Sequence, residues 1–139
     1  DAATALDWIQ AYNGNAPFSW VAGHSFGAWV GMQLLMRRPE VAGFISVAPP
    51  TNMYDFTFLA PCPASGIIIQ GSDDKIVPPD DVDRVMSKIR VQKGIEISRE
   101  IEQGAGHMFT NHMPQLEQRI EDYLDRRLPI VYNERRPKD

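Results

Sequence analysis

A single cysteine, Cys62, occurs in 139 residues, so no intramolecular disulfide framework can staple the fold. That scarcity fits a reducing compartment, and the chain is read as cytoplasmic. Cys62 stands between Pro61 and Pro63 with no helix start behind it, so it reads as a small packed residue and not a nucleophile. There is no run of about 18 apolar residues and no leader-like pattern, so no membrane partner is expected. A basic footprint is also missing. The net charge is -4, and the densest basic pairs, Arg37-Arg38, Arg126-Arg127 and Arg135-Arg136, are scattered. No nucleic-acid partner is expected. His24, His107 and His112 do not share a ligand spacing, so no metal and no cofactor are expected. No internal repeat or low-complexity stretch is present. The oligomeric state is not readable from these residues.

What is present is an ordinary globular composition, 43% hydrophobic and 23% charged, in a length suited to one domain. Residues 1–10 carry apolar side chains at helical spacing. Asn13-Gly14-Asn15-Ala16-Pro17 is a turn, and Phe18–Ala22 reads as a strand. Ala28–Met36 is apolar all round, as in a buried helix. Gly43–Ala48 is a second strand, closed by Pro49-Pro50. Gly66–Gln70 is a continuous apolar run, which suits a parallel strand buried on both faces. Pro79–Val91 predicts an amphipathic helix ended by Gly94. Ile95–Ile101 alternates with period two, as a strand near a sheet edge does. Leu116–Leu128 predicts the last helix, and 129–139 a polar, frayed tail. The alternation of strands and helices predicts an α/β, three-layer α/β/α domain with a parallel sheet over residues 1–128. The long connection Ala48–Ser65 carries Met53, Tyr54, Phe56, Phe58 and Leu59. A helical turn packing its aromatics on the sheet is the favoured reading, with a substrate-binding lid as the alternative.

Gly23-His24-Ser25-Phe26-Gly27 is the most informative segment. It lies between the first strand and the buried helix. A strand, a G-x-S-x-G turn and a helix in that order describe a nucleophile elbow. The serine must take a strained backbone position to expose its hydroxyl. Gly23 and Gly27 are expected to remove side chains that would clash where strand and helix pass. Ser25 then stands at a helix N-terminus, where free N–H groups favour developing negative charge.

In open parallel sheets, ligands bind beyond the carboxyl ends of the strands. Three such ends carry chemistry. The first presents Ser25. The third is followed by Gly71-Ser72-Asp73-Asp74-Lys75-Ile76-Val77-Pro78, and the fourth by Gln103-Gly104-Ala105-Gly106-His107-Met108-Phe109. A serine is a weak nucleophile until a base takes its proton. Histidine suits that task, because its unperturbed pKa is near 6.5. The imidazole in turn needs an acid on its other nitrogen. Asp73 and Asp74 both stand in place for it, and His112 competes with His107 as the base.

These segments resemble the α/β-hydrolase superfamily, whose chain order is Ser, Asp, His. Gly71–Pro78 is similar to that family's G-x-x-D-x-I/V-V-P motif, which implies Asp74 as the acid and leaves Asp73 as a solvated turn residue. Gly104–Phe109 is similar to its histidine loop, which implies His107 as the base. The resemblance implies Ser25 as the nucleophile and the Phe26 backbone N–H as an oxyanion donor. His24 fills the variable elbow position, often aromatic or His in this family. It reads as a packing residue, with substrate binding as the alternative. Within the superfamily the chain resembles small, capless dienelactone-hydrolase-like proteins over about residues 2 to 128, with Ser25 where dienelactone hydrolases proper use Cys. The implied function is cleavage of a carboxylic ester or related acyl bond in a small-molecule substrate through an acyl-enzyme. The alternatives are a peptidase or acyltransferase with the same triad, or a non-catalytic binding protein that keeps the fold. Four strands match only the second half of the superfamily fold, and no loop supplies a second oxyanion donor. The expectation is therefore a C-terminal part of a longer hydrolase that lacks its N-terminal strands.

Overall fold

The computed structural model describes residues 1–89 and 91–135. Four strands, β1 (Ser19–His24), β2 (Val41–Val47), β3 (Gly66–Gly71) and β4 (Ile97–Glu102), form one sheet in the order β1-β2-β3-β4. Every neighbouring pair is parallel. Helices α1 (Ala2–Tyr12), α2 (Phe26–Arg37), α3 (Pro79–Met86) and α4 (Met113–Arg135) flank them, with only a short 3-10 turn between β2 and β3. This is the expected α/β architecture.

The sheet has two covered faces because successive strand residues point to opposite sides. Phe44 and Ile68 join one core with Met32 and Leu35 of α2 and Val82 and Met86 of α3. Ile45, Ile67 and Ile69 join the other, with Leu116 and Tyr123 of α4. All residues of β2 and β3 are buried. Each isoleucine so buried contributes about 1.5–3 kcal/mol. The edge strands β1 and β4 are only partly buried.

Strand and helix ends shift by up to two residues from the sequence reading, and helices α3 and α4 by more. Helix α3 stops at Met86, short of Val91, and Gly94 is not its cap. Gly94 instead takes φ +87° in the turn before β4, where Ile95 N–H donates to Gln92 O at 3.0 Å. Arg90, within the predicted helix, lies outside the described residues. Helix α4 starts earlier, at Met113, and runs through Pro129 to Arg135, beyond the predicted end at Leu128. Val131 is buried in that extension, and the side chain anchors a segment whose composition reads as polar. Residues 136–139 of the expected tail lie outside the described residues.

The long connection after β2 divides in two. Phe56 and Leu59, around a short 3-10 turn at Thr57–Leu59, are buried in the core, as the favoured reading has it. Met53 and Tyr54, in its first half, face solvent. Cys62 is fully buried, its thiol directed to Ala64 O at 3.4 Å.

Candidate active site

Ser25 joins β1 to α2 with φ 56° and ψ -122°. A non-glycine residue held there costs about 1–3 kcal/mol, and its surroundings must hold it. Ser25 N–H donates to Val47 O at 2.8 Å, and Ser25 C=O accepts from Ala28 N–H at 2.9 Å. Gly23 is the point of closest approach. A Cβ there would lie 2.3 Å from Gly27 O and 2.6 Å from Ala28 N. Gly27 is different: a Cβ on it would meet nothing within 4 Å. The expectation that both glycines provide clearance is therefore corrected to Gly23 alone. Gly27 meets the strand with its backbone carbonyl, and its side-chain position faces open space. Strain of the same kind follows β2 at Ala48, φ 50°, and the histidine loop at Phe109, φ 54°. All three positions lie on the carboxyl edge of the sheet.

The three sequence-predicted site residues meet there. His107 Nε2 lies 2.9 Å from Ser25 Oγ, and His107 Nδ1 lies 2.8 Å from Asp74 Oδ2. A carboxylate only accepts, so Nδ1 carries the proton and Nε2 offers its lone pair to the Ser25 hydroxyl. The Asp74 side chain is fully buried, and that of His107 is 9% exposed. The other carboxylate oxygen of Asp74, Oδ1, accepts from Ile76 N–H at 2.9 Å and Val77 N–H at 2.8 Å. Every lone-pair direction that matters is thus occupied, and the carboxylate cannot rotate away from the imidazole. Asp73 is exposed, and its carboxylate accepts from the Ser72 hydroxyl at 3.5 Å without reaching His107. His112 is turned toward Thr110 O, 3.2 Å from its Nδ1. The offset from Gly71 thus separates the two aspartates, and the histidine loop separates the two histidines.

Several positioning contacts escaped the sequence reading. Gly71 has no room for a side chain, since a Cβ would lie 2.1 Å from Ala105 O. The acid loop and the histidine loop therefore touch through backbone. Gly104 N–H donates to Ser72 Oγ at 2.8 Å and Asp73 N–H to Ala105 O at 2.9 Å, which fastens them further. Asn52 Nδ2–H donates to Ile76 O at 2.9 Å and ties in the loop after β2. His24 Nε2–H donates to His107 O at 2.8 Å. That nitrogen is engaged by the backbone of the histidine loop, while the residue itself stays exposed. Only the G-x-x-D spacing signalled any of this cluster, and it marked Gly71 without saying what presses on it.

Phe26 is the first residue of α2, so its N–H has no intrahelical acceptor and is free to face the serine. The site is open. Surface hollows beside α1 and Glu40, between α1 and α2, along β3 and β4, and between Phe56 and Val85 have none of the three residues in their walls. The three residues stand together at the carboxyl rim of the sheet. Among the described residues, no helix is long and apolar enough to cross a membrane.

The parallel sheet, its flanking helices and the strand–turn–helix at Ser25 make up part of the α/β-hydrolase fold. Solved structures agree. A protein of unknown function from Agrobacterium tumefaciens, assigned provisionally to the alpha/beta hydrolases, is 52% identical with a TM-score of 0.88. The match covers 100% of this chain and 62% of that one. An α/β serine hydrolase without lid from Xanthomonas campestris is 27% identical with a TM-score of 0.80, over 91% of this chain and 55% of that one. An uncharacterized protein of Rickettsia prowazekii (strain Madrid E) is 46% identical over 128 residues, 89% of this chain and 54% of that protein. The chain thus spans little more than half the length of these relatives. No protein-family model matches it.

Proposed function

We propose that the protein is a serine hydrolase that cleaves a carboxylic ester or related acyl bond through an acyl-enzyme on Ser25. The observation that carries this reading is the unbroken line Ser25 Oγ, His107 Nε2, His107 Nδ1, Asp74 Oδ2, with both links shorter than 3 Å. The naming of the similar structures as hydrolases supports it.

In this mechanism His107 Nε2 takes the Ser25 proton as Oγ attacks the substrate carbonyl carbon. Asp74 stays ionised and stabilises the imidazolium. Phe26 N–H, helped by the N-terminal dipole of α2, donates to the oxyanion. As the intermediate collapses, the C–O bond to the leaving group breaks, and His107 returns the proton to the departing alkoxide. Water then attacks the acyl-enzyme by the same route and releases the acid and free Ser25. His24 serves as a positioning residue in this scheme, because it holds the backbone carbonyl of His107.

Within the superfamily, a capless, dienelactone-hydrolase-like architecture suits this chain. The long connection after β2 spends half its length in the core, which leaves little of it to form a cap. A small-molecule acyl substrate reaches an open site of this kind directly. A buried free thiol at Cys62 fits a cytoplasmic location. The test is labelling with a fluorophosphonate probe, followed by peptide mapping. Ser25 is expected to carry the adduct, and Ser25→Ala to abolish it. A protein that stays unlabelled, or is labelled elsewhere, refutes the reading.

A further inference from the structure

Phe26, Trp29 and Tyr54 stand together beside the nucleophile. The Phe26 and Trp29 rings lie 5.8 Å apart, Phe26 and Tyr54 5.6 Å, and Trp29 and Tyr54 4.6 Å in a near-parallel stack. Phe26 is 53% exposed and Tyr54 38%. Isolated exposed aromatics are unremarkable, but three in mutual contact form an apolar patch that water solvates poorly. The patch is also rigid. Trp29 Nε1–H donates to Asp55 O at 3.2 Å, and Tyr54 N–H donates to Pro50 O at 3.1 Å. Such a surface is ordered before anything binds to it, which lowers the entropic cost of binding.

We infer that Phe26, Trp29 and Tyr54 form the wall that receives the acyl chain of the substrate, and that the protein prefers apolar acyl groups of medium length to acetyl. This inference rests on the serine hydrolase reading. Phe26 carries the wall's first ring and also the N–H that meets the oxyanion, so the ring stays within one side chain's reach of the carbonyl carbon. The acyl group stays on that carbon in both the ester and the acyl-enzyme, whereas the alcohol leaves after the first step. A wall tied to the oxyanion donor therefore serves the acyl group throughout. Charge narrows the choice further. The wall residues carry no cation, and the adjacent side chain, Asp55, is a carboxylate whose pKa lies below the ordinary range because it accepts from Thr57. An acyl group ending in a carboxylate finds repulsion there, and an aliphatic one finds a dry surface.

The test uses two activated phosphonates with the same leaving group, one bearing an ethyl chain and one an octyl chain. Second-order rates of Ser25 modification are measured for each. The octyl probe is expected to react about 10- to 100-fold faster, since each added methylene that leaves water gains up to ~4-fold. Tyr54→Ala is expected to bring the octyl-to-ethyl ratio about tenfold closer to one. Tyr54→Phe is expected to preserve it, and Tyr12→Ala, on α1, to leave it unchanged. Octanoate is expected to slow modification of the unmodified protein at concentrations where propionate does not, which gives a readout free of any variant. Ethyl labelling with a ratio near one, or a ratio unmoved by Tyr54→Ala, overturns the acyl wall and leaves the hydrolase reading standing. No labelling of Ser25 by either probe overturns both.

Discussion

The two halves of the sheet bring unlike things to the active site. The β3–β4 half supplies Asp74 and His107 on loops locked to each other by backbone contact at Gly71 and by the Ser72 hydroxyl. Its outer edge is covered by charge: Arg119 grips Glu100 at 2.6 Å and Glu102 at 2.8 Å, and Arg99 reaches Asp83 at 3.2 Å. The β1–β2 half supplies Ser25 on a strained turn and the aromatic wall. Its outer edge, Ser19–His24, carries no acidic residue, lysine or arginine. Three polar atoms near it are buried with no hydrogen-bond partner among the described residues: Trp20 Nε1, Tyr123 Oη and Arg127 Nε. Proteins that expose an edge to water normally guard it with charges. The β4 edge is guarded in this way and the β1 edge is not.

The largest expected effect breaks the β3–β4 half at its acid. Asp74→Asn should lower kcat for ester hydrolysis by about 10⁴, the loss seen when the orienting acid of a comparable triad is removed. Asp73→Asn, one residue away and solvated, should change it by less than about twofold. Steady-state kinetics on the two variants decide the matter, and equal losses would sink the assignment of Asp74.

Next comes the backbone contact that joins the two loops. Gly71→Ala places a methyl group against Ala105 O and should destabilise the protein by about 1–3 kcal/mol, and misplace His107 as well. Gly27→Ala in the other half meets open space and should stay within about 1 kcal/mol of the parent, because it sits in the first turn of α2 where alanine is a good helix former. Urea denaturation of both variants measures the contrast. A tolerant Gly71 would show that the loops are held by something other than this contact.

A smaller effect concerns the unguarded edge. Ala22, exposed on β1, becomes a gatekeeper as Ala22→Lys. The variant should remain monomeric to higher concentration than the parent in sedimentation experiments, while a lysine added to the β4 edge at Ile101 should change little. No difference between the two would mean that β1 is no stickier than β4.

The smallest effect is at Cys62. Burial raises its thiol pKa, so the folded chain holds a proton that the unfolded chain releases. Stability from this group is full below the ordinary thiol pKa and declines as pH rises past it. Iodoacetamide should therefore modify the native protein far more slowly than the urea-unfolded chain at pH 8 to 9, as mass spectrometry would show. Fast native alkylation would contradict the burial.

Much of this was legible in the sequence because the signals were local. An apolar run such as Ile67-Ile68-Ile69 excludes water whatever surrounds it, so a buried parallel strand follows. The elbow needs a small residue at Gly23 and a hydroxyl at Ser25, and five consecutive residues state both. The offset of Asp74 from Gly71 likewise lies within a single turn, and the order Ser, Asp, His needs only the positions of three strand ends. Tertiary structure alone decided the rest, because each remaining feature depends on atoms distant in the chain. Gly71 is required by Ala105, His24 is claimed by the carbonyl of His107, and Tyr54 becomes part of a wall only where Phe26 and Trp29 meet it. Helix α4 outruns its polar composition because Val131 finds a buried site. Backbone geometry and hydropathy travel with a segment, whereas contact between segments exists only once the sheet has brought them together.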